Sequence, residues 1–128
     1  MREMKKRHRS QFLKELKSAF PPLRSELNQE SGLLHCETHA FTRFVQALID
    51  SEDKDTLIQS LQIADRFLRE GNLAMVNALT VSFLEHLNFE DGKVPRRWAW
   101  DCMTPALREQ YRAVMKYNQD LMRKKSRS

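Results

Sequence analysis

Two histidines four residues apart, in His35-Cys36-Glu37-Thr38-His39, are the first residues of this chain whose types and spacing fit a reaction centre. On a helix, positions i and i+4 share a face, so both imidazoles would project from one side. This is the spacing of a zincin helix, which places its glutamate second of the five residues. Here Glu37 stands third. Cys36 lies about 100° around an ideal helix from its neighbour, and no third ligand is near. The segment therefore reads as two polar residues close to a helix start with a cysteine turned inward. No metal and no cofactor is assigned.

A second candidate is acidic. Glu85 and Asn77 lie eight apart, on roughly one stripe of an otherwise apolar segment, with His86 beside them. A buried carboxylate must be paired or protonated. General acid–base work needs a second carboxylate at a matched distance, or a nucleophile beside a base. The chain shows neither, nor a glycine-rich phosphate loop, so no catalytic residue is assigned and no enzyme is expected. A core hydrogen-bond network, or a Glu85 turned to water, is the expectation.

Two further clusters fit binding better than catalysis. Arg96-Arg97-Trp98-Ala99-Trp100 interleaves cations with aromatics. Such a run can anchor a protein interface, stack on bases and hold phosphate, or simply pin a long loop onto the core. Asp50, Glu52, Asp53 and Asp55 form an acidic corner. It lacks the glycine and terminal glutamate of an EF-hand loop, and if functional it would steer a basic partner.

These residues need elements to hold them. The chain has 128 residues, enough for one domain with a single core and no disulfide or metal staple. Two distant cysteines, Cys36 and Cys102, do not make a secreted disulfide framework, and a reduced, intracellular compartment is expected. The first ten residues are mostly charged and give no signal-peptide run.

Charge is partitioned. Residues 1–25 carry eight Lys/Arg against two Asp/Glu, residues 26–91 four against twelve, and residues 92–128 ten against three, for a net +5. Basic ends suit nucleic acid, and an acidic middle opposes it unless both ends fold onto one face.

The organising stretch is residues 71–89. Gly71 is placed to end the preceding helix in a left-handed conformation, and Asn72 to cap the next. Leu73, Met75, Val76, Leu79, Val81, Phe83, Leu84 and Leu87 occupy every side, which predicts a buried central helix over about 72–88. It is too short to span a bilayer. Before it, apolar spacing predicts a helix from a Ser10 cap to Phe20, stopped by Pro21-Pro22. A short helix carrying Leu23 and Leu27 follows, ending near Ser31-Gly32. A third segment carries Phe41, Phe44, Val45, Leu48 and Ile49. A fourth, capped by Asp53 or Asp55, runs to about Glu70 with Leu57, Ile58, Leu61, Ala64 and Leu68 inward and Ile63 and Phe67 beside them.

Residues 88–104 are non-periodic, with a turn signal at Asp91-Gly92 and Pro95 against regular pairing. Thr104-Pro105 opens a last helix. No sustained apolar–polar alternation marks a strand. The expectation is a single all-α bundle of five to six helices over residues 10–122, with a basic arm at 1–9 and a frayed basic tail at 123–128.

The run Asn77-Ala78-Leu79-Thr80-Val81-Ser82-Phe83-Leu84-Glu85-His86-Leu87, with Gly71-Asn72 and Ile63-Ala64-Asp65 before it and Met103-Thr104-Pro105 after it, resembles an uncharacterised family of small all-helical bacterial proteins. Some members look like immunity proteins of polymorphic toxins. The resemblance covers about residues 40–118. It implies a cytoplasmic protein that binds and neutralises a cognate toxin by occlusion, and it carries no functional residues to transfer. The expected partner-binding set is Asp50, Glu52, Asp53, Asp55, Glu90 and Asp91 with Arg96, Arg97, Trp98 and Trp100. The alternative is a small nucleic-acid-binding regulator using both basic ends and the Arg96–Trp100 segment. No membrane contact is expected.

Overall fold

The computed structural model describes residues 8–29, 34–91 and 94–127, apart from the side chains of 90, 91, 94, 95 and 125–127. Met1 to Arg7 of the basic arm, and the Ser31-Gly32 helix end, lie outside the described residues. The chain is an all-α bundle. Its helices are α1 (Arg9–Ala19), α2 (Arg24–Gln29), α3 (Leu34–Asp50), α4 (Lys54–Glu70), α5 (Leu73–Ala78), α6 (Arg97–Asp101) and α7 (Pro105–Arg127). A 3₁₀ turn at Pro21–Leu23 separates α1 from α2, as the paired prolines dictate. No described helix is long and apolar enough to cross a membrane.

Local signals fix most helix ends. The Asp53 side chain accepts the Thr56 N–H at 3.3 Å, and that of Asn72 accepts the Met75 N–H at 2.9 Å, capping α4 and α5. Thr104 caps α7, accepting the Leu107 N–H, with Pro105 as first helical residue. The first cap is His8 rather than Ser10: Gln11 accepts the His8 N–H at 2.9 Å, and the Ser10 hydroxyl meets His8 Nδ1 at 2.7 Å. At the other end α7 continues to Arg127, past the expected boundary at 122.

Gly71 is not left-handed. Its φ of −73° and ψ of 157° are extended. A Cβ there would stand 2.2 Å from the Phe67 carbonyl oxygen and 3.0 Å from Met75 Cβ and Cγ. The last-turn carbonyl of α4, with Met75 behind it, leaves no room for a Cβ, and this rather than backbone handedness demands glycine. Among the described non-glycine residues, the one with a left-handed backbone is Glu52 (φ 59°). The Glu52 N–H donates to Ile49 O and the Asp53 N–H to Leu48 O, the Schellman pattern that closes α3.

The core is threaded by four phenylalanine rings. Phe67 of α4 meets Phe12 of α1 edge-on at 5.1 Å, Phe12 meets Phe41 of α3 at 5.6 Å, and Phe41 stacks on Phe83 at 5.0 Å. All four are fully buried. In α4 the inward set is Leu57, Leu61, Ile63, Ala64 and Phe67, while Ile58 and Leu68 are only half-buried.

The organising stretch lies among α3, α4 and α7, but it is not apolar-buried on every side. After α5 the backbone widens into a π-turn over Leu79–Phe83 and tightens into a 3₁₀ turn over Leu84–His86. Met75, Ala78, Leu79, Ser82, Phe83 and Leu84 are buried, whereas Leu73 is 84% exposed, Val81 42% exposed and Asn77 exposed. Helices pack on one side of it, so its other apolar residues meet water.

The π-turn frees backbone groups that neighbours answer. The Thr42 hydroxyl sits 2.7 Å from Ser82 O and 2.9 Å from Thr38 O, its one proton serving either. The Thr80 hydroxyl donates to Val76 O and accepts from Gln110 of α7. Between the turn and α6, Glu90–Asp91 pairs antiparallel with Val94–Pro95 as β1 and β2. The stretch expected to be irregular thus holds a two-residue ladder, with Pro95 at its end.

Candidate functional site

The ladder returns the chain so that the Arg96 N–H donates to Phe89 O at 2.6 Å. This sets Phe89 beside α6 and the first turns of α7. Phe89, Trp100 and Tyr111 then form a trio in which every pair is edge-to-face, with centroids 5.3–5.6 Å apart. Around the trio stand Arg96, Arg97, Arg108 and Arg112, with Asp101 as the single carboxylate of the lining. Together they enclose an open groove of about 610 Å³.

The four guanidinium groups are committed to different degrees. Arg96 is mostly buried and paired with Asp50. Arg108 donates to Trp100 O at 3.3 Å and Asp101 O at 2.8 Å, closing the end of α6. Arg112 lies over the Trp100 ring, 5.4 Å from its centroid, a cation–π contact. Arg97 is exposed and makes no side-chain hydrogen bond or ion pair among the described residues.

The expected partner-binding residues divide. Arg96, Arg97 and Trp100 meet in the groove. Trp98, nearly opposite Trp100 on α6, is half-buried against the core, as Trp100 is, but does not line the groove. Asp50 joins from α3: Arg96 chiefly, then Gln46, hold its carboxyl below the usual carboxylate range. Glu52 and Asp53 are spent on the α3–α4 corner as turn residue and helix cap, and Asp55 is exposed in the first turn of α4. The side chains of Glu90 and Asp91 lie outside the described residues.

Sequence reasoning missed Phe89, Arg108, Tyr111 and Arg112. The signal available was Arg108 and Arg112 at i, i+4 with Tyr111 between them on an otherwise amphipathic helix. Nothing local says that this helix folds back over residues 89–101.

The histidines gather elsewhere. His39 and His86 rings lie 4.9 Å apart, and His35 Nδ1 meets the Ser82 hydroxyl at 2.6 Å. Among the described residues no group of three or more His, Cys, Asp or Glu is placed to hold a metal. Asn77 faces water and Glu85 accepts from Asn118 of α7 at 3.1 Å, so the two do not share one buried hydrogen-bond network. Cys36 and Cys102 are free and half-buried, and burial raises the Cys102 thiol.

Burial, then the neighbouring His86, Arg43 and His35, hold the His39 pKa below its usual 6.5. The fold thus favours neutral His39. Between the lowered folded value and the unfolded value, the unfolded chain binds more protons. Stability present above about pH 6.5 is therefore lost as pH falls through the folded value. Urea midpoints measured from pH 7.5 down to 5 are expected to fall, and to fall less in His39→Gln. An identical slope in both proteins rejects the assignment.

Residues 13–119 match the family described as "Domain of unknown function (DUF7674)", and the chain belongs to that family. No curated protein and no solved structure matches it.

Proposed function

We propose that this member of the DUF7674 family is a non-enzymatic protein-binding module whose contact centre is the Phe89–Trp100–Tyr111 groove. The observation that carries the reading is how the groove is built. Tryptophan, tyrosine and arginine are the residues enriched where interfaces concentrate their binding energy, and here they converge from two separated segments onto Phe89 of a third. The rings also bear on the choice of partner. Base-stacking platforms offer free aromatic faces. Here each ring is engaged edge-to-face with the other two, and Arg112 covers Trp100. That favours a protein over single-stranded nucleic acid. The alternative regulator reading keeps its cations but has fewer free ring faces on which bases could stack.

The finer reading is an immunity protein that occludes a cognate bacterial toxin in the cytoplasm. It draws on the resemblance carried by residues 63–65, 71–72, 77–87 and 103–105, and its partner contact shifts. Asp50 and Asp53 are engaged within the fold, so the groove's arginines, rather than the acidic corner, supply the contact.

The test is capture from lysate of the source cells at low and moderate salt, beside a polyanion control. One stoichiometric protein that survives moderate salt is expected. Trp100→Ala is expected to weaken it by at least about thirtyfold, the size of a 2 kcal/mol hot spot. Nucleic acid that salt removes, with no protein partner, overturns the reading.

A further inference from the structure

We infer that the segment docking in this groove is acidic, with one apolar side chain seated on the Phe89–Trp100–Tyr111 floor and carboxylates running outward along α7. The inference rests on the protein-binding reading and names the chemistry of the partner.

Of the groove's four arginines, Arg96 is answered by Asp50 and Arg108 by two backbone carbonyls. Arg97 and Arg112 have no carboxylate partner among the described residues. Arg97 lies on α6 and Arg112 on α7, so the two approach the floor from different elements. From Arg112 the positive row continues. Arg108, Arg112 and Lys116 stand at i, i+4 and i+8 on one face of α7, about 6 Å apart along the axis. Arg112 and Lys116 are exposed.

An apolar floor beside unanswered guanidinium groups and a cationic row is complementary to an apolar residue followed by carboxylates. A carboxylate reaching Arg97 or Arg112 gains charge-assisted hydrogen bonds that neither group makes among the described residues. A neutral segment would leave both cations to be desolvated without return. A second copy of this chain is a poor occupant, because two such cationic rows would face each other.

The probe is a synthetic peptide with one phenylalanine followed by three glutamates at helical spacing. Its twin carries glutamines instead, and oligothymidylate is the third arm. Titrations follow the Trp100 indole N–H in ¹H–¹⁵N spectra of the intact protein. The acidic peptide is expected to shift that signal with a Kd below about 1 mM. The twin, and the acidic peptide on Arg97→Gln or Arg112→Gln, are each expected to bind at least about fivefold more weakly. Lys14→Gln, a cation exchange on α1, is expected to leave the Kd unchanged.

Equal binding of the twin overturns the inference, as does oligothymidylate shifting the indole where the peptide does not. A captured protein partner weakened by Trp100→Ala but indifferent to Arg112→Gln overturns the acidic segment alone. A partner indifferent to Trp100→Ala removes the groove reading beneath it.

Discussion

Phe41→Ala loses about 3–5 kcal/mol of stability, the usual cost of deleting a fully buried aromatic ring. Phe41 is the middle of the phenylalanine thread. It touches Phe12 of α1 edge-on and stacks on Phe83 in the π-turn. Truncation removes both ring pairs and leaves a hole where α1, α3 and the 79–86 segment meet. That region collapses poorly, because Thr42, one residue on, holds Ser82 O by a hydroxyl and fixes the spacing between the two backbones. Phe41→Leu keeps much of the volume and is expected to cost clearly less. Urea denaturation followed by circular dichroism measures both. A loss under about 1 kcal/mol for the alanine variant means that the thread does not support the bundle.

Arg9→Ala is expected to cost about 2–3 kcal/mol. Arg9 Nε and Nη2 donate to Glu37 Oε1 and Oε2 at 2.5 and 2.7 Å, a bidentate clamp from the first turn of α1 to α3. Glu37 is only 1% exposed, and the alanine variant strands its carboxylate. Breaking a fully buried pair costs about 3–5 kcal/mol. Arg9 remains 37% exposed, so water softens the loss. The decisive comparison is the double variant Arg9→Met, Glu37→Leu. It removes both charges and replaces them with apolar volume, and it is expected to recover most of what the single change loses. Should the double variant be as unstable as Arg9→Ala, shape rather than charge is what the clamp supplies. Acidification adds to the picture through His39, whose neutral form the fold favours.

The fold was legible where a signal acts over a few residues. Asn72, Asp53 and Thr104-Pro105 cap the helices they were expected to cap, since a cap is a contact between near neighbours in sequence. Apolar spacing likewise found Phe41, Val45, Leu48 and Ile49 of α3, while Phe44 is half-buried. It erred in α4 and in the 71–89 segment, where Phe67, Leu68, Leu73 and Val81 are all apolar and only the neighbours decide which are covered. The position of Gly71 marked it as the end of α4 but not why it is glycine, because the clash with Phe67 O appears only once the backbone leaves the helix in an extended conformation. The candidate site was half legible. Arg96, Arg97 and Trp100 stood out by type, while their partners Phe89, Arg108, Tyr111 and Arg112 come from flanking segments that no local pattern joins to them.

What the sequence by itself determined is the all-α bundle, most of the helix ends and the phenylalanines of the core. Each of these follows from propensity, capping and burial acting within a turn or two. What only the tertiary structure decided is which charges and rings meet. It packs both tryptophans on the core but opens only Trp100 to the groove, sends Asp50 to Arg96, and relaxes one helix into a π-turn whose Ser82 carbonyl meets the Thr42 hydroxyl. Those choices depend on how α3 and α7 pack against the 79–101 segment. The free energy that fixes them is long-range burial and pairing, which leaves no mark in the spacing of neighbouring residues.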